Sequence, residues 1–166
     1  MAGGGDALTG LRFGVLTCST TRTVADDLSG DALEQGIQAA GGRVVARSLV
    51  ADDQQQISDI LQGWADAATV DVLLTTGGTG LGPHDVTPEA TRAVAAREVP
   101  GLAELLRLRG LEKTPHAALS RGVAVTCGKT LIINLPGSPA GAREGLAVLL
   151  PLLAHAAAIM AGGGHH

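Results

Sequence analysis

"VDVLLTTGGTGLGPHDVTPEA", residues Val70–Ala90, decides the fold. The run through Leu73 and Leu74 is short, apolar and followed by threonines, the pattern of a strand buried on both faces of a parallel sheet. Gly77, Gly78, Gly80 and Gly82 then make a tight turn in which the backbone takes up positive φ. Pro88 opens a helix, with Thr87 expected as its N-cap and Glu89 in its first turn. A strand that leaves through a glycine turn into a helix is one unit of an α/β fold.

The same alternation runs outward in both directions. "RFGVLT" (Arg12–Thr17) reads as a strand, and Leu33, Ile37 and Ala40 lie at helical spacing before a stop at Gly41-Gly42. "RVVARSL" is a second strand, followed by the acidic turn "VADD" and a helix striped by Ile57, Ile60, Leu61 and Trp64. Beyond Ala90 the helix is expected to break near Pro100 and resume over "GLAELLRLRG". "RGVAVTCGKTLIINLPG" reads as two β runs joined at Cys127-Gly128-Lys129, a hairpin, and a last helix starts near Ala140. The expected architecture is an α/β fold of three layers: an open, mostly parallel sheet with helices on both faces and one hairpin. Residues 11–161 form the domain, residues 1–10 a flexible N-terminus and residues 162–166 a flexible tail.

Composition narrows the function. The 166 residues suit one domain, and 45% of them are hydrophobic, enough for a sizeable core. Phe13 and Trp64 are the only aromatic residues, so base-stacking platforms are nearly absent. A net charge of −4 with no basic run argues against nucleic acid and against an anionic membrane. "EGLAVLLPLLAHAAAIMA" is interrupted by Pro151 and His155 and reads as a buried helix rather than a span. Cys18 and Cys127 have no metal or redox spacing and read as small core residues of a cytoplasmic protein.

Ligands of open α/β sheets bind beyond the carboxyl ends of the strands. Three loops converge there: those after Leu16, near Asp52 and after Thr75. The glycine turn offers backbone N–H groups to an anion without formal positive charge. Asp52 and Asp85 fit beside it if a magnesium ion bridges carboxylates and phosphates; otherwise Asp85 is a turn-former, and Asp52 or Asp53, like Asp26 or Asp27, a helix cap. Ser138 either caps the last helix or meets a ligand, and Arg121 is either an anion clamp or a solvated arginine. His84 is an exposed loop residue, while His116 and His155 read as structural. "GVAVTCGKT" imitates a phosphate-binding P-loop, but its spacing is one residue too long and it falls in the hairpin.

"TTGGTGLGPHDVTPEAT", "LSRG" and "LIINLPGSP", in this order, closely resemble the MogA/MoaB family of molybdenum-cofactor biosynthesis proteins. "STTRTVADDLSG" (Ser19–Gly30) is similar to the family's first loop, and Asp52 matches its acidic turn. The resemblance implies a molybdopterin-binding fold assembled as a homotrimer. It implies adenylylation of molybdopterin by ATP with Mg²⁺, pyrophosphate being released, and "DVTPEAT" looks closer to the MogA branch. Carried over by position, Asp52 and Asp85 are the essential acids, and Gly77, Gly78, Thr79 and Gly80 line the site. Ser120, Pro136, Gly137 and Ser138 supply the pterin side, with Ser19, Asp27 and Ser29 bordering the site. A molybdate-inserting protein is the expected partner. The rival reading is a MoaB-like carrier that holds molybdopterin without turning it over. A domain of a larger nucleotide-metabolising protein is disfavoured because no second domain is read, and a nicotinamide dehydrogenase because its glycine signature is missing.

Overall fold

Val72–Thr76 (β3) is buried at every position and sits inside a six-stranded sheet of order β2-β1-β3-β6-β5-β4. The computed structural model describes residues 6–162. Strands Arg12–Cys18 (β1), Arg43–Val50 (β2) and Thr130–Leu135 (β6) run parallel to β3. Ala124–Cys127 (β5) and Arg97–Glu98 (β4) run antiparallel to their neighbours. Gly128, with φ +59°, makes the expected turn between β5 and β6.

Helices Leu28–Ala39 (α1), Gln54–Asp66 (α2), Thr87–Ala93 (α3), Pro100–Gly110 (α4) and Pro139–Met160 (α5) cover both faces. The period-2 geometry of strands divides each one between two cores. Phe13, Val15, Val72, Leu74, Ile133 and Leu135 face α1 and α5, packing with Leu33, Ile37, Leu146, Leu149 and Leu153. Leu16, Cys18, Leu73 and Ile132 face α2 and α3, meeting Ile57, Leu61 and Ala90. The expected three layers are the observed ones.

Some expectations need correction. The N-terminal segment is fastened well before residue 11: Leu8 is fully buried in the first core, and its N–H donates to the Ala40 carbonyl at 2.8 Å. Residues 1–5 and 163–166 lie outside the described residues. The helix begun at Pro88 ends at Ala93, and Pro100 opens α4 at its first turn instead of breaking a helix. Between them lies β4, two exposed charged residues bracketed by Ala96 N–H to Thr126 O and Val99 N–H to Ala124 O; an edge strand this short leaves no alternation to read. Helix α5 runs unbroken through an exposed Pro151. By length and composition it could cross a membrane, but it buries one face only, through Ala142, Leu146, Leu149 and Leu153, while Ala147, Ala154 and Ala158 are exposed.

Candidate functional site

Parallel register brings four strand ends to one edge: Cys18 pairs with Val50, Thr17 with Thr76, and Thr76 with Leu135. The loops leaving them are residues 19–27, 51–53, 77–86 and 136–138. Gly77 is at φ +97°, and a Cβ there would lie 2.5 Å from the Cys18 carbonyl oxygen. Gly78, at φ +70°, would drive a Cβ into the Thr87 hydroxyl. No other residue type fits either position without distortion. Gly80 and Gly82 do not have positive φ. A Cβ at either would stand 2.9 Å from Asp85 Oδ2.

The two acids lie against this one turn. Asp85 Oδ2 accepts from the Gly82 N–H at 2.9 Å, so the residue is a turn-former, and its other oxygen has no partner among the described residues. Asp52 Oδ2 accepts from Thr20 N–H and Oγ1, both at 3.1 Å. Its Oδ1 points toward Gly78, 3.5 Å from a Cβ built there. Asp53 turns away and caps α2 by accepting from Gln56 N–H at 2.9 Å. Asp52 thus spends one oxygen on the first loop and Asp85 one on its own turn, and the other oxygen of each has no hydrogen-bond partner among the described residues. Among the described residues no group of three His, Cys, Asp or Glu could hold a metal. A magnesium ion here would take one or two carboxylate oxygens and complete its shell with water and substrate phosphates, which suits its preferences.

Arg121 explains how the turn keeps its shape. Its Nε donates to Gly80 O at 2.7 Å and one terminal nitrogen to Asp85 O at 2.6 Å. The other terminal nitrogen pairs with Glu89 at 2.6 Å. Its own N–H donates to Thr79 O at 2.8 Å, and Thr79 is buried. Arg121 is therefore a clasp on the turn, neither a solvated arginine nor a free clamp. Its bonds to Glu89 hold that carboxyl below the usual range. Beneath the turn, buried Asn134 donates to Thr75 and Thr91 hydroxyls at 2.9 and 3.0 Å and accepts from Val123 N–H at 3.1 Å.

In the loop after β6, Pro136 O accepts from Thr76 Oγ1 at 2.6 Å, and a Cβ at Gly137 would stand 3.1 Å from Gly77 Cα. Ser138 caps α5, accepting from Gly141 N–H at 3.0 Å. Ser120 lines a cavity of about 470 Å³ with Arg92, Glu98, Glu104, Arg107 and the clasp residue Arg121. Arg92 and Glu98 pair with each other across that cavity, and Arg107 donates to the Ser120 and Gly122 carbonyls. Arg92, Glu98 and Arg107 are thus partnered, and neither Asp52 nor Asp85 lines the cavity.

The first loop carries Ser19, Asp27 and Ser29. Ser19 Oγ accepts from Arg22 N–H at 3.1 Å, and buried Ser29 Oγ accepts from the Arg22 guanidinium at 2.5 Å. Asp27, 2% exposed, caps α1 through Gly30 N–H and accepts from Thr17 Oγ1 at 2.8 Å and Arg47 at 3.1 Å. Arg47 also pairs with Asp31 and Glu34, both at 2.7 Å. Burial works against its charge, yet the bonds to Asp31, Glu34 and Asp27 prevail and raise its pKa. Asp27 is thus fully engaged in holding α1 to the sheet.

Thr87 is not the cap of α3. Val86 holds that place without a side-chain bond, and the buried Thr87 hydroxyl has no partner among the described residues. His84, His116 and His155 are all exposed, so the structural role expected for the last two is not seen. Both cysteines are buried and free. Burial pushes the Cys18 thiol up to about 12, and it raises Cys127 as well. Thiolate is the reactive form; neither cysteine should react with a disulfide reagent at mildly alkaline pH until the protein is unfolded. A thiol titrating rapidly in the folded protein would contradict this packing.

Three comparisons place this geometry among known proteins. A family model described as a probable molybdopterin binding domain matches residues 14–155. The molybdenum cofactor synthesis protein cinnamon of Drosophila melanogaster is 42% identical over 149 residues, covering 88% of this chain but only 25% of that protein. The chain thus spans a quarter of the length of that relative. The molybdopterin adenylyltransferase of Helicobacter pylori strain J99 is 36% identical over 156 residues, covering 92% of this chain and 89% of that one. The crystal structure of the molybdopterin biosynthesis enzyme MoaB from Thermus thermophilus superposes with a TM-score of 0.84 at 50% identity, covering 92% and 97% of the two chains.

Proposed function

This chain belongs to the family of probable molybdopterin binding domains, and on that premise we propose that it is a molybdopterin adenylyltransferase. A terminal phosphate oxygen of molybdopterin attacks the α-phosphorus of ATP. The P–O bond to the leaving pyrophosphate breaks, and adenylylated molybdopterin remains.

One observation carries the reading: Asp52 and Asp85 abut residues 78–82 of the same turn, each with an oxygen left open. A bare anion-binding turn has no use for two carboxylates, since like charges repel. Two acids beside phosphates need a cation between them, and Mg²⁺ there would supply charge neutralisation to the reacting phosphates. The chain's own share is positional. Gly77 and Gly78 let phosphate oxygens approach the backbone, Thr20 fixes Asp52, and Arg121 fixes the segment that carries Asp85. The attacking phosphate is already ionised, so no protein base is required. Positioning and preorganised dipoles provide most of the rate in such transfers.

The pterin lies on the side of Pro136 and Gly137, which pack against the glycine turn, and the nucleotide on the side of the first loop. Leu108, Leu111 and Leu119, exposed around the end of α4, are the apolar surface we assign to a homotrimer in the cytoplasm, with a molybdate-inserting protein as the next partner. Purified protein incubated with ATP, Mg²⁺ and molybdopterin should release pyrophosphate in step with adenylylated pterin. Tight molybdopterin binding with no pyrophosphate would instead establish the carrier reading, which the 50% identity to a MoaB protein keeps in view.

A further inference from the structure

Among the loops that frame the glycine turn, Arg22 is the only arginine or lysine with no carboxylate partner in the described residues. Arg121, the other guanidinium nearby, is neutralised by Glu89. Arg22 is half-buried. One terminal nitrogen donates to Ser29 Oγ at 2.5 Å and the other to Gly137 O at 2.8 Å. Nε has no partner among the described residues, so at least one of its five N–H donors faces outward. Asp26 lies within range of its field but is committed to Thr23, accepting from N–H at 2.5 Å and from Oγ1 at 3.0 Å.

Its place in the loop is specific. Two residues earlier, Thr20 bonds Asp52, which borders Gly78. Arg22 itself reaches Gly137, which packs on Gly77. The strap Thr20–Arg22 therefore crosses over the turn, with an acid held at one end and a guanidinium at the other. Two neutral oxygens do not offset the desolvation of a half-buried guanidinium as an anion does. A carbonyl and a hydroxyl instead hold the fork in a fixed direction.

We infer that Arg22 is a substrate-anion ligand, donating to a phosphate oxygen of the molecule bound at the Gly77–Gly78 turn. This deepens the adenylyltransferase reading and rests on it. The phosphate belongs either to the nucleotide or to the pterin, and separate titrations distinguish them. Calorimetry with Mg·ATP alone and with molybdopterin alone is compared for the native protein, Arg22→Gln and Arg22→Lys, alongside thermal melts. Arg22→Gln should weaken one titration by about tenfold to a hundredfold, the worth of a charge-assisted hydrogen bond. Loss confined to Mg·ATP assigns the nucleotide phosphate; loss confined to molybdopterin assigns the pterin phosphate. Arg22→Lys keeps the charge but not the fork, so it should recover most of the affinity. Unchanged binding in Arg22→Gln overturns the inference and leaves the adenylyltransferase reading standing. Equal weakening in both variants overturns it in favour of a structural tie to Ser29 and Gly137. A native protein that binds neither titrant overturns this inference and the proposed function together.

Discussion

Asp52→Asn and Asp85→Asn should each lower the rate of molybdopterin adenylylation by about 10²–10³-fold, the loss typical when one preorganised electrostatic group is removed from a transfer site. Asparagine keeps the volume and an acceptor oxygen. In Asp85→Asn that oxygen can still receive the Gly82 N–H that closes the turn. In Asp52→Asn it can still receive Thr20 N–H. What disappears is the charge, so melting temperature and molybdopterin affinity should barely move while turnover collapses. The double variant should be little worse than the poorer single one, because two groups that act as a unit, as proposed for these acids, are not additive. Full turnover by either single variant would remove the acids from the mechanism.

Arg47→Met should destabilise the fold by about 2–3 kcal/mol and lower Tm by about 5–10 °C, because it strands a buried charge. Asp27 would keep its bonds to Thr17 and Gly30 N–H but lose the one cation that pairs with it among the described residues. Arg47 is 25% exposed, so water relieves part of the penalty and the lower end of the range for broken buried pairs applies. Arg12→Met is the natural contrast. Its pair with Asp71 at 2.9 Å joins the start of β1 to the start of β3, but the partners are 38% and 27% exposed. Its loss should stay at or below about 1 kcal/mol. Asp27→Asn in the Arg47→Met background should regain part of the stability, since the two sites are coupled. Equal denaturant midpoints for Arg47→Met and Arg12→Met would sink the idea that burial of Asp27 governs the effect.

Much of this could be read from residue order. The run at Val72–Leu74 reads as a central strand because every position is apolar, and the stripe of Ile57, Leu61 and Trp64 reads as a helix because its period is 3.6. Gly77 and Gly78 marked the site because positive φ near a strand end has few other causes. What escaped was tertiary. Arg121 and Gly80 are 41 residues apart, and nothing local distinguishes a clasp from a solvated arginine. Nothing local showed that Asp27 pairs with Arg47, which comes from β2. Gly80 and Gly82 looked like conformational glycines, whereas neither has positive φ and a Cβ at either would crowd the Asp85 carboxylate. Arg22 had no sequence signal, since nothing local shows that its guanidinium meets Ser29 and Gly137.

The reversal of β5 has a wider consequence. In a wholly parallel sheet, only segments departing from strands can furnish the working rim, because arriving segments enter at the opposite margin. Here Ala124 stands opposite Ile133, near the exit of β6. The chain therefore also meets that rim on its way in, and Arg121 arrives by this inbound route. One strand turned against its neighbours gives the reactive margin an extra delivery path without lengthening any loop.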